Sequence, residues 1–157
     1  MVSPIAPARA TYRIQATPEF GFDRIAELAS YLAELGVSHA YLSPVLTAAS
    51  GSQHGYDVID HDHVNPELGG DAAHARMCSA LRAQGIGQLI DIVPNHMAIV
   101  AGNRLWWDVL ENGPSSHYAA FFDVDWEGGE DTRVLLPILG EHYFDELRER
   151  RVKVARN

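Results

Sequence analysis

The feature that most limits the possible folds of this sequence is a regular alternation of strand-like and helix-like segments across residues 10–93. Segments rich in β-branched, aromatic and other apolar residues alternate with segments whose apolar residues recur every three or four positions. In chain order we predict an extended stretch at 10–15, a helix at 22–35, a strand at 37–42, a helix at 72–83 and a strand at 86–93. Because helices connect successive strands, this order predicts an α/β fold with parallel strands and right-handed crossovers.

Local signals predict where both helices begin and end. Thr17 followed by Pro18 is typical of a helix start, with threonine as the N-cap and proline at the first helical position. Gly36 ends the first apolar repeat, Asp71 is predicted to cap the second helix, and Gly85 to end it. Beyond residue 96 the pattern weakens, until the charged segment 141–153 again resembles a helix.

Residues 45–70 separate the second predicted strand from the second helix. We predict one long loop here, because the segment is rich in glycine and in polar side chains and contains Pro66. Loops of this length without regular structure are uncommon in small domains and usually carry function.

Charge and cysteine content exclude several classes of protein. Lysine and arginine number 12 against 21 acidic residues, a formal net charge of -9, which disfavours nucleic acid and membrane surfaces as partners. The single cysteine, Cys78, cannot form a disulfide within the chain and is predicted to be a small buried side chain. No apolar run approaches the ~20 residues of a membrane span, and the first residues do not resemble a signal peptide. We therefore expect a cytoplasmic protein.

Polar residues gather where the predicted strands end. Active sites of parallel sheets and barrels form beyond the carboxyl ends of the strands, here residues 15–20, 43–70 and 91–96. Asp91 interrupts an apolar strand, and an unpaired buried carboxylate is costly. Two interpretations stay open: Asp91 is simply paired, with a backbone amide or a neighbouring arginine, or that pairing orients a catalytic group.

The glycine-rich loop contains two further candidates. Tyr56, between a glycine and an aspartate, is placed either to present its ring to the apolar face of a sugar or to pack beneath the loop. His61 and His63, with His54 and Asp57 nearby, suggest a metal site. Their spacing matches no known metal cage, so we predict no metal and no cofactor.

Several segments, in order along the chain, resemble one known family. Asp91-Ile-Val-Pro-Asn95-His96 resembles the strand-three motif Asp-x-x-x-Asn-His of the α-amylase superfamily, and Gly55-Tyr56-Asp57 resembles its Gly-Tyr-Asp segment. Four segments resemble, within glycoside hydrolase family 13, the maltooligosyl trehalose synthases: Ala10-Thr-Tyr-Arg-Ile-Gln15, Tyr41-Leu-Ser-Pro-Val-Leu-Thr47, Gly51-Ser-Gln-His-Gly-Tyr56 and Trp106-Trp-Asp-Val-Leu-Glu-Asn-Gly-Pro114. The resemblance covers nearly all of residues 10–140.

The resemblance implies a TIM-type (β/α)₈ barrel of which this chain is an incomplete N-terminal part. Residues 1–100 are expected to form about three β/α units, and residues 101–157 to begin an insertion that follows strand three. A complete barrel needs about 250 residues. The nucleophilic aspartate and the acid/base glutamate are expected beyond Asn157, so the chain alone is predicted to be inactive.

The implied activity is that of an isomerase. Members of the family convert the reducing-end α-1,4 linkage of a maltooligosaccharide into an α,α-1,1 linkage by a retaining, intramolecular transfer. The expected partners are an α-1,4-glucan or maltooligosaccharide substrate and the missing C-terminal part of the same enzyme. Two other interpretations remain: a different α-amylase-type hydrolase, or a non-catalytic glucan-binding fragment.

The resemblance also implies a role for each motif residue. Tyr56 would stack on the sugar whose bond breaks, His96 would hydrogen-bond that sugar, and Asp91 would hold an arginine near the nucleophile. Supporting roles are expected for Asn95, Asp57 and His54. Trp106 and Trp107 are expected either to line the glucan path or to pack in the core.

Overall fold

A computed structural model describes residues 7–127, 134, 136 and 138–153. The chain divides into two compact units, Met1–Asp108 and Val109–Asn157. In the first unit the described elements are β1 (Thr11–Ile14), α1 (Phe22–Glu27), α2 (Ala29–Glu34), β2 (His39–Leu42), β3 (Leu46–Ala48), β4 (Val58–Val64), α3 (Gly70–Ala83) and β5 (Gly87–Ile90). Helix α4 (Arg104–Asn112) contains the boundary between the units, and α5 (Tyr143–Arg148) lies in the second.

The parallel sheet has the order β1-β2-β5. Thr11 to Ile14 pair in register with His39 to Leu42, which pair in turn with Gly87 to Ile90. The prediction of parallel strands joined by helices is therefore confirmed. The carboxyl ends of all three strands meet at one edge, which brings distant parts of the sequence together there.

One face of this sheet is covered by helices α1, α2 and α3. Ile14, Ala40 and Leu42 point to this face and join one buried cluster with apolar residues of the helices. The helical residues that are fully buried in it are Phe22, Ile25, Leu32, Met77 and Leu81. Burying a side chain of this size contributes about 1.5–3 kcal/mol, so the helix-covered face contributes substantially to the stability of the unit.

The first helix differs from the prediction in its start and in its continuity. It begins at Phe22 with Gly21 as the N-cap residue, and Leu28 separates α1 from α2. Thr17 instead closes a turn: its backbone exchanges hydrogen bonds with Phe20, and its Oγ1 accepts the Phe20 N–H at 3.1 Å. The predicted cap at Thr17 is wrong because its hydroxyl is engaged in a turn that precedes the helix.

The expectation of an unstructured loop at 45–70 is also wrong. Strands β3 and β4 form an antiparallel pair within it, with Ala48 opposite Val58 and Leu46 opposite Val64. The register is irregular between these pairs. The middle of β4 is polar, and its apolar residues lie only at its ends. Tertiary pairing overrides the weak β-propensity of this segment.

Three smaller differences concern the remaining elements. Helix α3 begins at Gly70, after Gly69 in a left-handed conformation, so Asp71 lies in its first turn and is not the cap. Helix α4 was not predicted; Asn103 is its N-cap, because Asn103 Oδ1 accepts the N–H of Trp106 at 3.0 Å. Within the predicted helical tail, α5 covers only Tyr143–Arg148.

None of the helices formed by the described residues combines the length and the apolar character that crossing a bilayer requires.

Candidate functional site at the carboxyl end of the sheet

Three polar side chains from separate parts of the chain meet where the parallel strands end. Arg13 of β1 donates from Nη1 to Asp91 Oδ2 at 2.9 Å and from Nη2 to the Tyr56 hydroxyl at 2.8 Å. The Tyr56 hydroxyl donates to the same Asp91 oxygen at 2.6 Å. We call these three residues the Arg13–Tyr56–Asp91 triad. The triad pairs the Asp91 carboxylate with a neighbouring arginine, which is one of the two kinds of partner that the sequence analysis named for Asp91.

The triad keeps Asp91 ionised. The hydrogen bond from the Tyr56 hydroxyl, followed by the one from the Arg13 guanidinium, lowers the pKa of the Asp91 carboxyl below its ordinary value. The same bond to Asp91 raises the pKa of the Tyr56 phenol, because losing that proton would place two negative charges together. At neutral pH the group therefore consists of a carboxylate, a neutral phenol and a guanidinium.

Arg13 is itself oriented by an aromatic ring on the neighbouring strand. Its guanidinium carbon lies 4.3 Å from the centre of the Tyr41 ring, and Arg13 and Tyr41 are register partners. A cation over a tyrosine face at this distance is attracted by the ring quadrupole. The ring and the carboxylate together leave the guanidinium little freedom to rotate.

The turn that carries Tyr56 depends on glycine. Gly55 has φ +77°, and a Cβ atom there would lie 2.8 Å from the Pro44 carbonyl oxygen. Ser52 Oγ donates to Asp57 and accepts the Gly55 N–H at 3.0 Å, which closes the turn. Asp57 thus helps to hold this turn through Ser52, and its supporting role at the site stays a prediction.

His54 stabilises the same turn through a hydrogen bond to its backbone. The Tyr56 N–H donates to His54 Nδ1 at 3.0 Å, so this nitrogen carries no proton. The same atom lies 3.7 Å from Asp57 Oδ1, but an unprotonated nitrogen cannot form an ion pair with a carboxylate. The hydrogen bond to the Tyr56 backbone is the shorter contact and defines the role of His54.

Gln15, at the end of β1, connects that strand to the turn. Its side-chain amide lies 3.4 Å from the carbonyl oxygen of Gln53 and 3.3 Å from that of His54. The backbone of the tyrosine-bearing turn is thus held by the first strand as well as by its own hydrogen bonds.

His96 approaches Tyr56 from the segment after β5. Its Nε2 lies 3.2 Å from the Tyr56 carbonyl oxygen, and because a carbonyl only accepts, Nε2 carries the proton. Asn95 beside it is exposed. The structure therefore brings Asp91, Tyr56 and His96 together, whereas Thr17 and Phe20 bond to each other within their own turn.

The histidines of β4 bind protein groups. His61 Nε2 lies 2.9 Å from the Val93 carbonyl oxygen, and His63 Nδ1 lies 2.8 Å from Asp60 Oδ2. The bond to Asp60 raises the pKa of His63 above its ordinary value. Across residues 7–127 and the described part beyond them, no group of three or more His, Cys, Asp or Glu side chains is arranged to hold a metal ion.

The two tryptophans differ in exposure. Trp106 is buried, whereas Trp107 keeps 48% of its surface exposed. Of the two, Trp107 therefore has the more exposed ring, and a glucan-lining role stays a prediction for it.

Sequence reasoning placed Gln15 in a candidate site segment, but it assigned no role to Arg13 or Tyr41. Arg13 lies in a short stretch of β-forming residues, where a charge in the middle of a strand was a usable signal. Nothing in the spacing of Arg13, Tyr56 and Asp91, which are 43 and 35 positions apart, indicates that they meet.

Comparisons with known proteins agree with this geometry. A family model described as the α-amylase catalytic domain matches residues 22–146. A Mycobacterium tuberculosis (strain H37Rv) protein, provisionally named maltooligosyl trehalose synthase, is 50% identical over 141 residues, which cover 85% of this chain and 18% of the relative. The intracellular maltogenic amylase of Bacillus subtilis is 32% identical over 100 residues, 64% of this chain and 16% of that protein.

A solved structure extends the similarity to three dimensions. The maltooligosyltrehalose synthase of Arthrobacter ramosus superposes with a TM-score of 0.80 at 46% identity, over 90% of this chain and 19% of that one. The present chain spans about a fifth of the length of these synthases. The resemblance to maltooligosyl trehalose synthases noted in the sequence is confirmed. The catalytic-domain model matches most of the length of this chain, and the chain superposes on a solved synthase. This chain therefore belongs to the α-amylase family and has the TIM-barrel type of fold of that family's catalytic domain.

Proposed function

We propose that this chain is the N-terminal part of a maltooligosyl trehalose synthase. In this proposal residues 1–100 supply the first three β/α units of the catalytic barrel, and residues 101–157 begin an insertion after the third strand. The enzyme acts on a maltooligosaccharide or α-1,4-glucan and converts its reducing-end linkage into an α,α-1,1 linkage. The chain supplies one side of the subsite in which that bond breaks.

The observation that carries the proposal is a difference in similarity between two activities of one family. Identity reaches 50% over 85% of the chain for the M. tuberculosis relative and 46% over 90% for the A. ramosus synthase. For the B. subtilis maltogenic amylase it is 32% over 64%. Shared family membership accounts for the lower value, and the higher value favours the synthase reaction.

The geometry of Tyr56 supports a stacking role. Its hydroxyl donates to Asp91 and accepts from Arg13, so both polar functions of the phenol are already used. The side chain is still 38% exposed, which leaves ring surface for the apolar face of a glucose unit. His96 binds the Tyr56 carbonyl through Nε2, and its Nδ1 remains to accept a hydrogen bond from a sugar hydroxyl.

In the proposed reaction the catalytic carboxyl groups come from sequence that this chain does not contain. An aspartate attacks the anomeric carbon as a glutamic acid protonates the leaving oxygen, and a glycosyl-enzyme forms. The released glucose then turns and attacks through its own anomeric hydroxyl, while the glutamate takes up the proton. The hydrogen bonds within the triad hold Tyr56 and Asp91 in place on one side of this subsite.

The proposal is tested with a chimaera. The chain replaces the matching segment of the A. ramosus synthase, and the product formed from maltopentaose is analysed by chromatography. We expect a product with a non-reducing, trehalose-type end, and no turnover by the chain alone. Free glucose as the main product would favour a hydrolase instead, and turnover by the chain alone would contradict the assignment of the carboxylates to other sequence.

A further inference from the structure

Arg13 makes more contacts with the site than its position in an ordinary strand would suggest. It touches Asp91 after β5 at 2.9 Å, the Tyr56 hydroxyl at 2.8 Å, and the ring of Tyr41 in β2 at 4.3 Å. Its side chain is only partly exposed, at 35%. No other described arginine contacts the triad. The other arginines that form ion pairs bind elsewhere: Arg24 with Glu27, Arg76 with Asp23, Arg148 with Asp145, and Arg151 with both Glu146 and Glu149.

We propose that Arg13 is a positioning residue that fixes the angle of the Tyr56 ring, and thereby the plane on which a sugar is received. This inference rests on the proposed function of Tyr56. It adds a requirement: the stacking surface is set from the first strand of the sheet, by a guanidinium that the substrate does not touch.

The need for a second anchor follows from the geometry of Tyr56. The residue lies on an exposed turn, and a single hydrogen bond from its hydroxyl to Asp91 would let the ring swing about that bond. Arg13 Nη2 supplies a second bond to the same hydroxyl from another direction. His54 also stacks on Tyr56, with ring centres 6.0 Å apart, but its hydrogen bond goes to the Tyr56 backbone and not to the hydroxyl.

The anchor specifically requires arginine. Nη1 and Nη2 of one planar group bind Asp91 and Tyr56 separately, while the flat face of the group lies over Tyr41. A lysine ammonium is a point charge on a flexible stem and cannot meet all three groups in this arrangement. Arg13→Lys therefore keeps the charge and loses the geometry.

Removal of the guanidinium also has a predictable effect on pH dependence. Asp91 receives hydrogen bonds from Arg13 of β1, from Tyr56 of the turn and from the backbone of Ile92. Tyr41 of β2 packs against the Arg13 guanidinium, and His96 binds the Tyr56 carbonyl oxygen. Arg13 helps to lower the pKa of Asp91, so its loss raises that pKa. Asp91 would then become protonated at a higher pH, and the acid limb of the rate profile moves upward.

The test measures Arg13→Lys and Arg13→Met in the chimaera. We expect kcat/KM to fall by about 10-fold to 100-fold, as for the loss of hydrogen bonds to a charged group, with little rescue by lysine. The acid limb should move to higher pH in Arg13→Met. Arg76→Met is the matched control, because Arg76 makes a two-bond ion pair with Asp23 on the helices and not with a residue of the triad. It should keep the kcat/KM of the parent.

A double-mutant cycle separates positioning from a general loss of structure. Tyr56→Phe keeps the ring and removes the hydroxyl that Arg13 holds. If Arg13 acts through Tyr56, Tyr56→Phe costs less kcat/KM in the Arg13→Met background than in the parent. Circular dichroism identifies which variants are folded.

Parent kinetics in every folded Arg13 variant, or strictly additive losses in the cycle, would overturn the inference. Its failure is distinct from failure of the proposed function, which shows as glucose release by the parent chimaera. The Arg13 comparison can be made on that hydrolysis as well, since the same subsite is measured.

Discussion

The two faces of the parallel sheet are used in opposite ways. On the helix-covered face, Ile14, Ala40 and Leu42 are at most 4% exposed. On the open face, Arg13, Tyr41 and Leu89 stand side by side in register, and Leu89 keeps 39% of its surface exposed. Because consecutive residues of a strand point to opposite faces, a step of one residue separates the core from the site.

This difference shows how stability and chemistry are divided within one short sheet. The helix-covered face buries apolar side chains, which supply the free energy that holds the strands together. The open face and the strand ends then hold a cation, a phenol and a carboxylate at fixed separations. Changes on the first face should therefore act on unfolding, and changes on the second on catalysis.

The largest expected effect is on stability, at the helix-covered face. Phe22 is fully buried and lies edge-on to His74, with ring centres 5.1 Å apart. Phe22→Ala should lower the free energy of unfolding by about 3–5 kcal/mol, through lost burial and the cavity left behind. Urea denaturation followed by circular dichroism measures the change. Leu89→Ala on the open face is the control and should cost about 1 kcal/mol or less; equal losses would remove the distinction between the faces.

The next effect is on catalysis, at the strand ends. In the chimaera, Tyr56→Ala and His96→Ala should each lower kcat/KM by about 10²-fold or more, as for contacts made in the transition state. Steady-state kinetics with maltopentaose measures this. The control is His63→Ala, because His63 binds Asp60 and not the triad. Unchanged kinetics for both Tyr56→Ala and His96→Ala would mean that the motif has been assigned to the wrong subsite.

The smallest effect concerns the exposed apolar surface around the end of β5 in the chain by itself. Leu89 and Ile92 are 39% and 63% exposed near one strand end, so the chain should bind a hydrophobic dye there. The double variant Leu89→Ser, Ile92→Ser should lower the dye fluorescence. Leu35→Ser, which removes a residue 49% exposed at the end of α2, serves as the control. A larger drop with Leu35→Ser would place the apolar surface elsewhere.

Patterns that depend on near neighbours were predicted correctly. The apolar repeat of α3 and the order of β1, β2 and β5 follow from spacing alone, and parallel pairing follows from the helices between them. Local signals failed where a tertiary contact competed with them. Thr17 is a good helix cap in isolation, but its hydroxyl closes a turn with Phe20, and the polar segment Val58–Val64 becomes a strand because β3 lies beside it.

For the site, the sequence by itself determined which residues are unusual: an aspartate in an apolar segment, a tyrosine between a glycine and an aspartate, and a histidine shortly after that segment. It also determined the family, because several motifs occur in one order. Only the tertiary structure decided that Arg13 is the partner shared by Tyr56 and Asp91. The physical reason is that parallel pairing aligns strand ends from distant parts of the chain. The charges of the side chains that meet there, and the distances between them, produce no periodic pattern in the sequence.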